Sequence, residues 1–218
     1  MTTTKRGPYR NGIEKRRLIV ESAIRVFGES GYRGGPLRAI AESVGSPASQ
    51  IISLFGSKNG LLIAVLDHWD LQQVDEENTT GLDYVQSLRD RMRYSSKNRQ
   101  WVEFFLTLGS EATTLDHPAH EYFVDRYEQI SDRLQSEILR AAECGEIRPI
   151  EAGVARVEAQ RLSAMMDGLQ LQWLLNPDFD MVTAFDDYLD TVIARWRTSA
   201  SDQHDIPART SQVAHKEK

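Results

Sequence analysis

Cysteine is nearly absent: one thiol, Cys144, stands among 218 residues. That excludes an intrachain disulfide framework and fits a reducing compartment. No apolar run approaches the roughly 20 residues that span a bilayer. The basic N-terminus lacks the apolar core of a secretory signal, so a cytoplasmic chain with no membrane partner is expected. There is no glycine-rich phosphate loop, no nucleophile elbow and no Cys–His pair at a working spacing. An enzyme is therefore not expected, nor is a cofactor. Asp116-His117 and His120-Glu121 form a cluster able to hold a metal, but they straddle a helix start and have no Cys partner, so no metal is expected. Strand-type alternation and internal repeats are missing too, which leaves an all-α fold of about nine helices.

What is present is an uneven charge. The chain nets −6 overall, yet residues 1–58 hold ten Lys/Arg against four Asp/Glu, a net of +6. The remainder nets −12. A basic front and an acidic back suggest that nucleic acid meets only the front; chance segregation is the plain alternative.

The pattern is sharpest in residues 36–58, PLRAIAESVGSPASQIISLFGSK. Leu37, Ile40, Ala41 and Val44 give a first short helix one apolar face. Gly45 supplies the left-handed residue that ends it. Ser46 is a cap for the next helix and Pro47 suits its first turn. Ile51, Ile52, Leu54 and Phe55 give that second helix its apolar groups, while Ala48, Ser49, Gln50 and Ser53 stay short and mostly polar. A short helix docked on one side, with small polar groups on the other, suits a DNA major groove.

Around this unit, residues 1–12 read as a flexible basic arm, or equally as a solvated tail. Residues 13–29 read as a helix ended by Gly31, with Ile19, Ala23, Val26 and Phe27 on one face and Lys15, Arg16 and Arg17 at its start. Three helices over 13–57 form a helix-turn-helix domain, too small to stand without the helix from Lys58 onward. Ser57 caps that helix, over 58–74, which carries Leu61, Leu62, Val65, Leu66 and Trp69. Further helices are marked by Tyr84 to Met92, by Trp101 to Leu108, and by the spans 119–143, 151–175 and 179–197. Residues 58–198 thus form a second, wholly helical domain, and 199–218 read as a disordered tail.

Residues 6–69 resemble the DNA-binding domain of the tetracycline-repressor (TetR) family of bacterial transcriptional regulators. The matching text runs RRLIVESAIRVFGESGYRGGPLRAIAESVGSPASQIISLFGSKNGLLIAVL. Its marks are Ala23 and Phe27, Gly31-Tyr32, Ile40-Ala41, Val44-Gly45, then Phe55, Ser57-Lys58 and Leu61-Leu62. The later stretch MMDGLQLQWLLNPDFD looks like the C-terminal half of many members. Departures are Gly35-Pro36 in place of a Thr-Ser that caps the second helix, and Ile52, Ser53 and Leu54 where many members carry Tyr or His.

The resemblance implies a repressor that binds a palindromic operator in double-stranded DNA as a homodimer and is released by a small-molecule effector. Lys58 falls where the family places a phosphate contact. Beside the reading helix, Arg38 is expected to contact a phosphate or reach a base edge, and Arg33 is a weaker phosphate candidate. Gln50 and Ser49 are the leading base readers, followed by Ser53, with Ala48 or Leu54 against a thymine methyl; Leu54 is as readily core. The last two helices look like the family's dimer-forming pair, offering Leu169, Trp173, Tyr188, Val192 and Trp196, which read equally as intrachain core.

A central pocket, as in other members, is expected to be lined by Trp101, Phe104, Phe105, Leu108, Tyr122, Met165, Met166 and Trp173, and so to take a hydrophobic or aromatic effector. Ordinary core packing is the rival for each. Two other classes remain open: an all-helical small-molecule binder or enzyme that ignores DNA, and a protein-interaction module.

Overall fold

A computed structural model describes residues 8–72 and 79–198, with side chains for 12–68 and 79–198. Residues 1–7 of the arm expected over 1–12, the tail expected over 199–218 and the Trp69 side chain lie outside the described residues. Among those described, nine helices and no strand occur: α1 (Pro8–Gly34), α2 (Leu37–Ser43), α3 (Ala48–Phe55), α4 (Lys58–Gln72), α5 (Gly81–Lys97), α6 (Arg99–Glu111), α7 (His120–Glu143), α8 (Ala152–Leu175) and α9 (Met181–Arg197).

Two starts differ from the sequence reading, each because of a proline. α1 begins at Pro8, inside the expected arm, since proline has no amide to satisfy in a first turn and its φ is already helical. Pro47 stands outside α3 as its extended cap residue (φ −69°, ψ 146°), so no side chain caps that helix. Ser46, expected to do so, is instead buried and turned toward the Val44 carbonyl at 3.4 Å. Pro36 likewise precedes α2 without a side-chain cap. Ser57 does cap α4: its Oγ accepts the Gly60 amide at 3.0 Å.

The apolar side chains form two cores. One gathers Ile19, Ala23 and Phe27 of α1, Ile40 of α2, Ile51 and Phe55 of α3, and Leu61, Leu62, Val65 and Leu66 of α4. It then continues into Trp101, Phe104 and Leu108 of α6 and Phe123 of α7. The helix-turn-helix is thus completed by the body, as its small size requires, and the division expected at 57/58 falls within this one core. The second core joins Leu82 to Met92 of α5, Leu134 and Ile138 of α7, Leu162 and Leu169 of α8, and Phe185 to Trp196 of α9.

Three carboxylates fasten the body, two of them, Glu137 and Glu158, buried. Glu137, 1% exposed, accepts the Gly81 amide at 2.7 Å and pairs with Arg133 and Arg140 of its own helix at 3.2 and 3.4 Å. Glu146 accepts the next amide, Leu82, at 2.8 Å. Two carboxylates thus cap the α5 N-terminus, where amides lack helical partners and the helix dipole favours negative charge. Glu158 fastens the far end of α9, accepting from Trp196 Nε1 at 3.2 Å and pairing with Arg195 and Arg161. Replacing Glu137 by Ala should cost about 2 kcal/mol in urea unfolding, because it orphans a buried amide. Glu137→Gln, which retains an acceptor, should lose clearly less.

Candidate nucleic-acid interface and effector cavity

Position along α3 decides what each residue can touch. Ile51 is fully buried and Phe55 is 9% exposed, so they face α1 and α4. Ala48, Ser49, Ile52 and Ser53 are exposed, the i, i+1, i+4, i+5 set of one outer face. Gln50 and Leu54 are half-buried along its edges, and Leu54 packs on the core. Ile52, 41% exposed, is a correction: its apolar character marks it as core in sequence, but its register turns it outward. The period of the neighbouring Ile51 and Phe55 is the signal that could have found it.

The ends of α3 are set by α1 and by two turns. Gly45 has φ +60°, as its place after α2 requires. At the other end the Arg16 guanidinium donates to the Leu54 carbonyl at 2.8 Å and lies 4.3 Å from the Phe55 ring centre. A cation over the last carbonyls of a helix satisfies groups that have no internal partner.

The basic surface is less open than its charge count suggests. Arg17 pairs with Glu14 at 2.6 Å and with Glu21. Arg38, almost wholly exposed, pairs with Glu42 at 2.7 Å, and Arg33 stands 3.7 Å from Asp116. Such exposed pairs contribute roughly 0–1 kcal/mol, so a phosphate can replace the carboxylate. Lys58 differs. Its Nζ turns inward, donating to the carbonyls of Tyr32 at 2.5 Å and Arg33 at 3.4 Å, with the Tyr32 ring 4.5 Å away. Burial lowers its pKa, and Glu111 partly opposes that. In this arrangement the ammonium expected on a phosphate instead closes the C-terminus of α1.

That terminus is also held from the body. Gly31 breaks α1 with φ +68° and ψ 168°. A Cβ there would stand 2.2 Å from Glu111 Oε1, and the Tyr32 amide donates to Glu111 Oε2 at 3.0 Å. His117, its side chain fully buried, packs edge-on against Tyr32 at 5.3 Å and lies 3.7 Å from the same carboxylate oxygen. Its Nδ1 accepts the Ala119 amide at 3.2 Å, so the ring proton sits on Nε2 and the imidazole is neutral. The Nδ1 of His120 meets the Ala112 carbonyl at 2.8 Å. Among the described residues no group of three or more metal-binding side chains occurs.

Behind α6 lies a cavity of about 80 Å³ bounded by α5, α6, α7 and α8. Of the expected lining, Trp101, Phe105 and Met166 border it. Phe104 and Leu108 do not: both are buried in the first core, with Phe104 stacked 6.3 Å from Phe27. Met165 and Trp173 pack on the second core, and Trp173 lies under Arg99 at 5.0 Å. Tyr122 stands just outside, its hydroxyl accepting from Arg126 at 3.4 Å. The polar lining went unnamed in the sequence reading: Arg91, Ser95, Arg126, Tyr127, Ser163, Asp167 and Gln170. The Tyr127 hydroxyl donates to Asp167 Oδ2 at 2.7 Å. Burial raises the pKa of both; for Asp167 the Tyr127 bond and Arg126 pull partly back.

The dimer candidates divide similarly. Leu169, Val192 and Trp196 are buried within the protomer, Tyr188 half so. The large apolar side chains that α8 leaves exposed are Val154, Val157, Leu171 and Leu175.

A three-helix head with a docked, outward-reading third helix, joined to a helical body that encloses a cavity, defines a helix-turn-helix transcriptional regulator. Residues 19–65 match the model of "Bacterial regulatory proteins, tetR family", and residues 85–194 match "BetI-type transcriptional repressor, C-terminal". The chain belongs to the TetR family of bacterial regulatory proteins. It is similar to the HTH-type transcriptional repressor AcnR of Corynebacterium efficiens, 27% identical over 161 residues that cover 72% of this chain and 80% of that one. Its fold is similar to that of a TetR transcription regulator from Haloarcula marismortui (TM-score 0.72, 18% identity, 85% and 100% of the two chains). It is also similar to that of a regulator from Saccharomonospora viridis solved with choline (TM-score 0.64, 22% identity, 84% and 96%). Among the described residues no single helix is long and apolar enough to cross a membrane.

The His117 contact carries a pH dependence. Burial lowers its pKa below the ordinary value of 6.5, outweighing Glu111 and Asp116, which raise it, with Arg33 adding to the lowering. The neutral ring is therefore favoured by folding. Its contribution is complete above about pH 6.5 and is lost as pH falls below that, where the unfolded chain takes up the proton first. The thermal midpoint of the wild type should drop more than that of His117→Phe between about pH 7.5 and pH 5.

Proposed function

We propose that this chain represses transcription in the cytoplasm as a homodimer on a palindromic operator, and that a small, largely apolar or aromatic effector in the α5–α8 cavity releases it. It acts by binding and does not catalyse a reaction. The observation that carries the reading is the division of α3: Ile51 and Phe55 anchor the helix while Ala48, Ser49, Ile52 and Ser53 stand free on one face. In the groove, Gln50 suits adenine, Ser49 and Ser53 suit either base type, and Ile52 joins Ala48 as a partner for thymine methyls. Arg38 and Arg33 exchange Glu42 and Asp116 for phosphates. Lys58 and Arg16 orient helix ends.

One head reads only a few base pairs, so a two-fold assembly is needed for a specific site. Support comes from α8. Val157, Ala164, Leu171 and Leu175 recur along it at helical spacing and are exposed, and Gly168 has open space where a Cβ would be. An apolar helical stripe of that kind packs against its own copy across a two-fold axis. Leu171→Asp should yield a monomer in analytical ultracentrifugation and lose operator affinity.

A fluorescence-anisotropy titration with duplexes from the gene's upstream region tests the whole reading. Gln50→Ala should relax preference at one base position, by about 1–3 kcal/mol. Arg38→Ala should weaken all duplexes alike and reduce the salt slope by about one unit. Lys58→Ala should lower the thermal midpoint and leave that slope unchanged. No salt-dependent binding to any duplex would sink the repressor in favour of a DNA-independent helical binder.

A further inference from the structure

We propose that the cavity behind α6 takes a compact aromatic hydroxyl compound, its ring against Trp101, Phe105 and Met166 and its hydroxyl bridging Gln170 and Ser95. This rests on the effector reading above and names the head group that reading leaves open.

The ground is a buried polar pair with bonds left to make. Gln170 of α8 and Ser95 of α5 both border the cavity, and they are 9% and 5% exposed. Gln170 Nε2 donates to Ser95 Oγ at 3.2 Å and meets Met92 Sδ at 3.8 Å, which engages the amide's donors. Among the described residues none donates to the Gln170 side-chain carbonyl, and none accepts the Ser95 hydroxyl proton. The carbonyl oxygen is not sealed in protein either, so it opens on the space that Gln170 borders. Turning the amide over exchanges the parts of the two residues but not the balance, since a donor and an acceptor remain.

Buried polar groups are normally satisfied, because a bond left unmade in a dry surround costs more than a made one gains. A head that both donates and accepts completes this pair, and a hydroxyl is the smallest organic group that does so. The wall beside the pair is apolar. Met166 lies one turn before Gln170 on the same face of α8, and Leu88 two turns before Ser95 on α5. Trp101 and Phe105 of α6 stand with ring centres 6.4 Å apart and planes 34° from each other, a surface on which a further ring can pack. Water would complete the pair as a hydroxyl does, but it covers none of that wall; the ring gives the ligand its advantage over water. The volume of about 80 Å³ limits the occupant to a compact molecule, since one water needs roughly 10–15 Å³ by the same measure.

Isothermal titration of the full chain with phenol and fluorobenzene isolates the head, because the two are nearly the same size and only phenol donates a proton. Phenol should bind in the millimolar range or tighter, as befits about seven heavy atoms. Fluorobenzene should be weaker by about tenfold, because it leaves both bonds unmade. Gln170→Met keeps the length of the side chain and removes both polar atoms; it should cut the preference for phenol to about threefold or less. Ser95→Ala should cut it in the same direction. A pair that served only to tie α5 to α8 would lower the thermal midpoint of these variants and leave the preference unchanged. Where a variant fails to fold, the wild-type preference decides. An intact preference in folded Gln170→Met, or no heat with phenol up to about 10 mM, would overturn the proposal. Equal binding of the two probes, or tighter fluorobenzene, would overturn it too, since the pair then keeps water and the cavity reads only the ring. Duplex release, measured separately, keeps the two readings apart. Phenol that binds with the expected preference but does not weaken DNA binding leaves the hydroxyl site standing and overturns the effector reading. Release by fluorobenzene in preference to phenol does the reverse.

Discussion

Glu111 stands at the last turn of α6, and the placing of the DNA-reading head depends on it. Its carboxylate takes the Tyr32 amide at the point where Gly31 breaks α1. Tyr32 in turn gives its carbonyl to Lys58, the first residue of α4, and its hydroxyl to Asn59. One carboxylate of the body thus fixes the end of α1 and, through Tyr32, the start of α4, between which α2 and α3 are strung. Without a residue free to take positive φ at position 31 the carboxylate could not come so near. Because α6 also offers Trp101, Val102 and Phe105 to the cavity, the same helix touches the proposed effector space at one end and the head at the other. Any ligand that favours a different seat for α6 must act on this junction, and its effect is limited to the difference in its affinity for the two seats.

The head was legible in the sequence because local rules and tertiary packing agree there. Gly45 must be left-handed, Ser57 must cap, and Ile40, Ile51 and Phe55 must be covered. The roles of the cations were not legible. A count of ten basic residues in 58 says nothing about direction. Arg16 and Lys58 turn their charge onto carbonyls at helix ends, Arg17 and Arg38 spend theirs on carboxylates three or four positions away, and the outcome depends on rotamers and on neighbours distant in sequence. Lys58 reaches back 26 residues to Tyr32. For the exposed pairs the partition matters little to stability, because each is worth roughly 0–1 kcal/mol; under the proposed reading a phosphate would take the place of the carboxylate.

The body was legible as helices but not as faces. α8 shows why. Its apolar residues are spread around much of its circumference, so periodicity alone could not tell the side that meets α5, α7 and α9 from the side that meets nothing in the protomer. Leu162 and Leu169 go in; Val157, Leu171 and Leu175 stay out. The aromatic density of α6 misled in a related way. Phe104 and Phe105 are adjacent, so they point to different sides, one into the first core and one onto the cavity. Nor could the polar half of the cavity be found by looking for hydrophobic stripes. Arg91, Arg126, Tyr127 and Asp167 come from three helices and look in sequence like ordinary surface residues.

Those polar residues give the cavity its relation to the outer surface. Tyr127, Ser163 and Asp167 border the cavity on one side, and on the other they border a groove between α7 and α8 that runs past Val124, Gln160 and Ala164. The wall between the two spaces is spanned by the hydrogen bond from Tyr127 to Asp167. That bond is exposed on the groove side, where water competes for both partners, so its hold on the wall depends on how wet the groove is. The groove edge at Ala164 lies on the helix whose exposed stripe forms the proposed two-fold contact. Dimer packing along that stripe would therefore change how wet the groove is, and so how firmly Tyr127 holds Asp167. If both proposals hold, affinity for effector and affinity between protomers would be linked through one helix, and by linkage each would alter the other by the same factor.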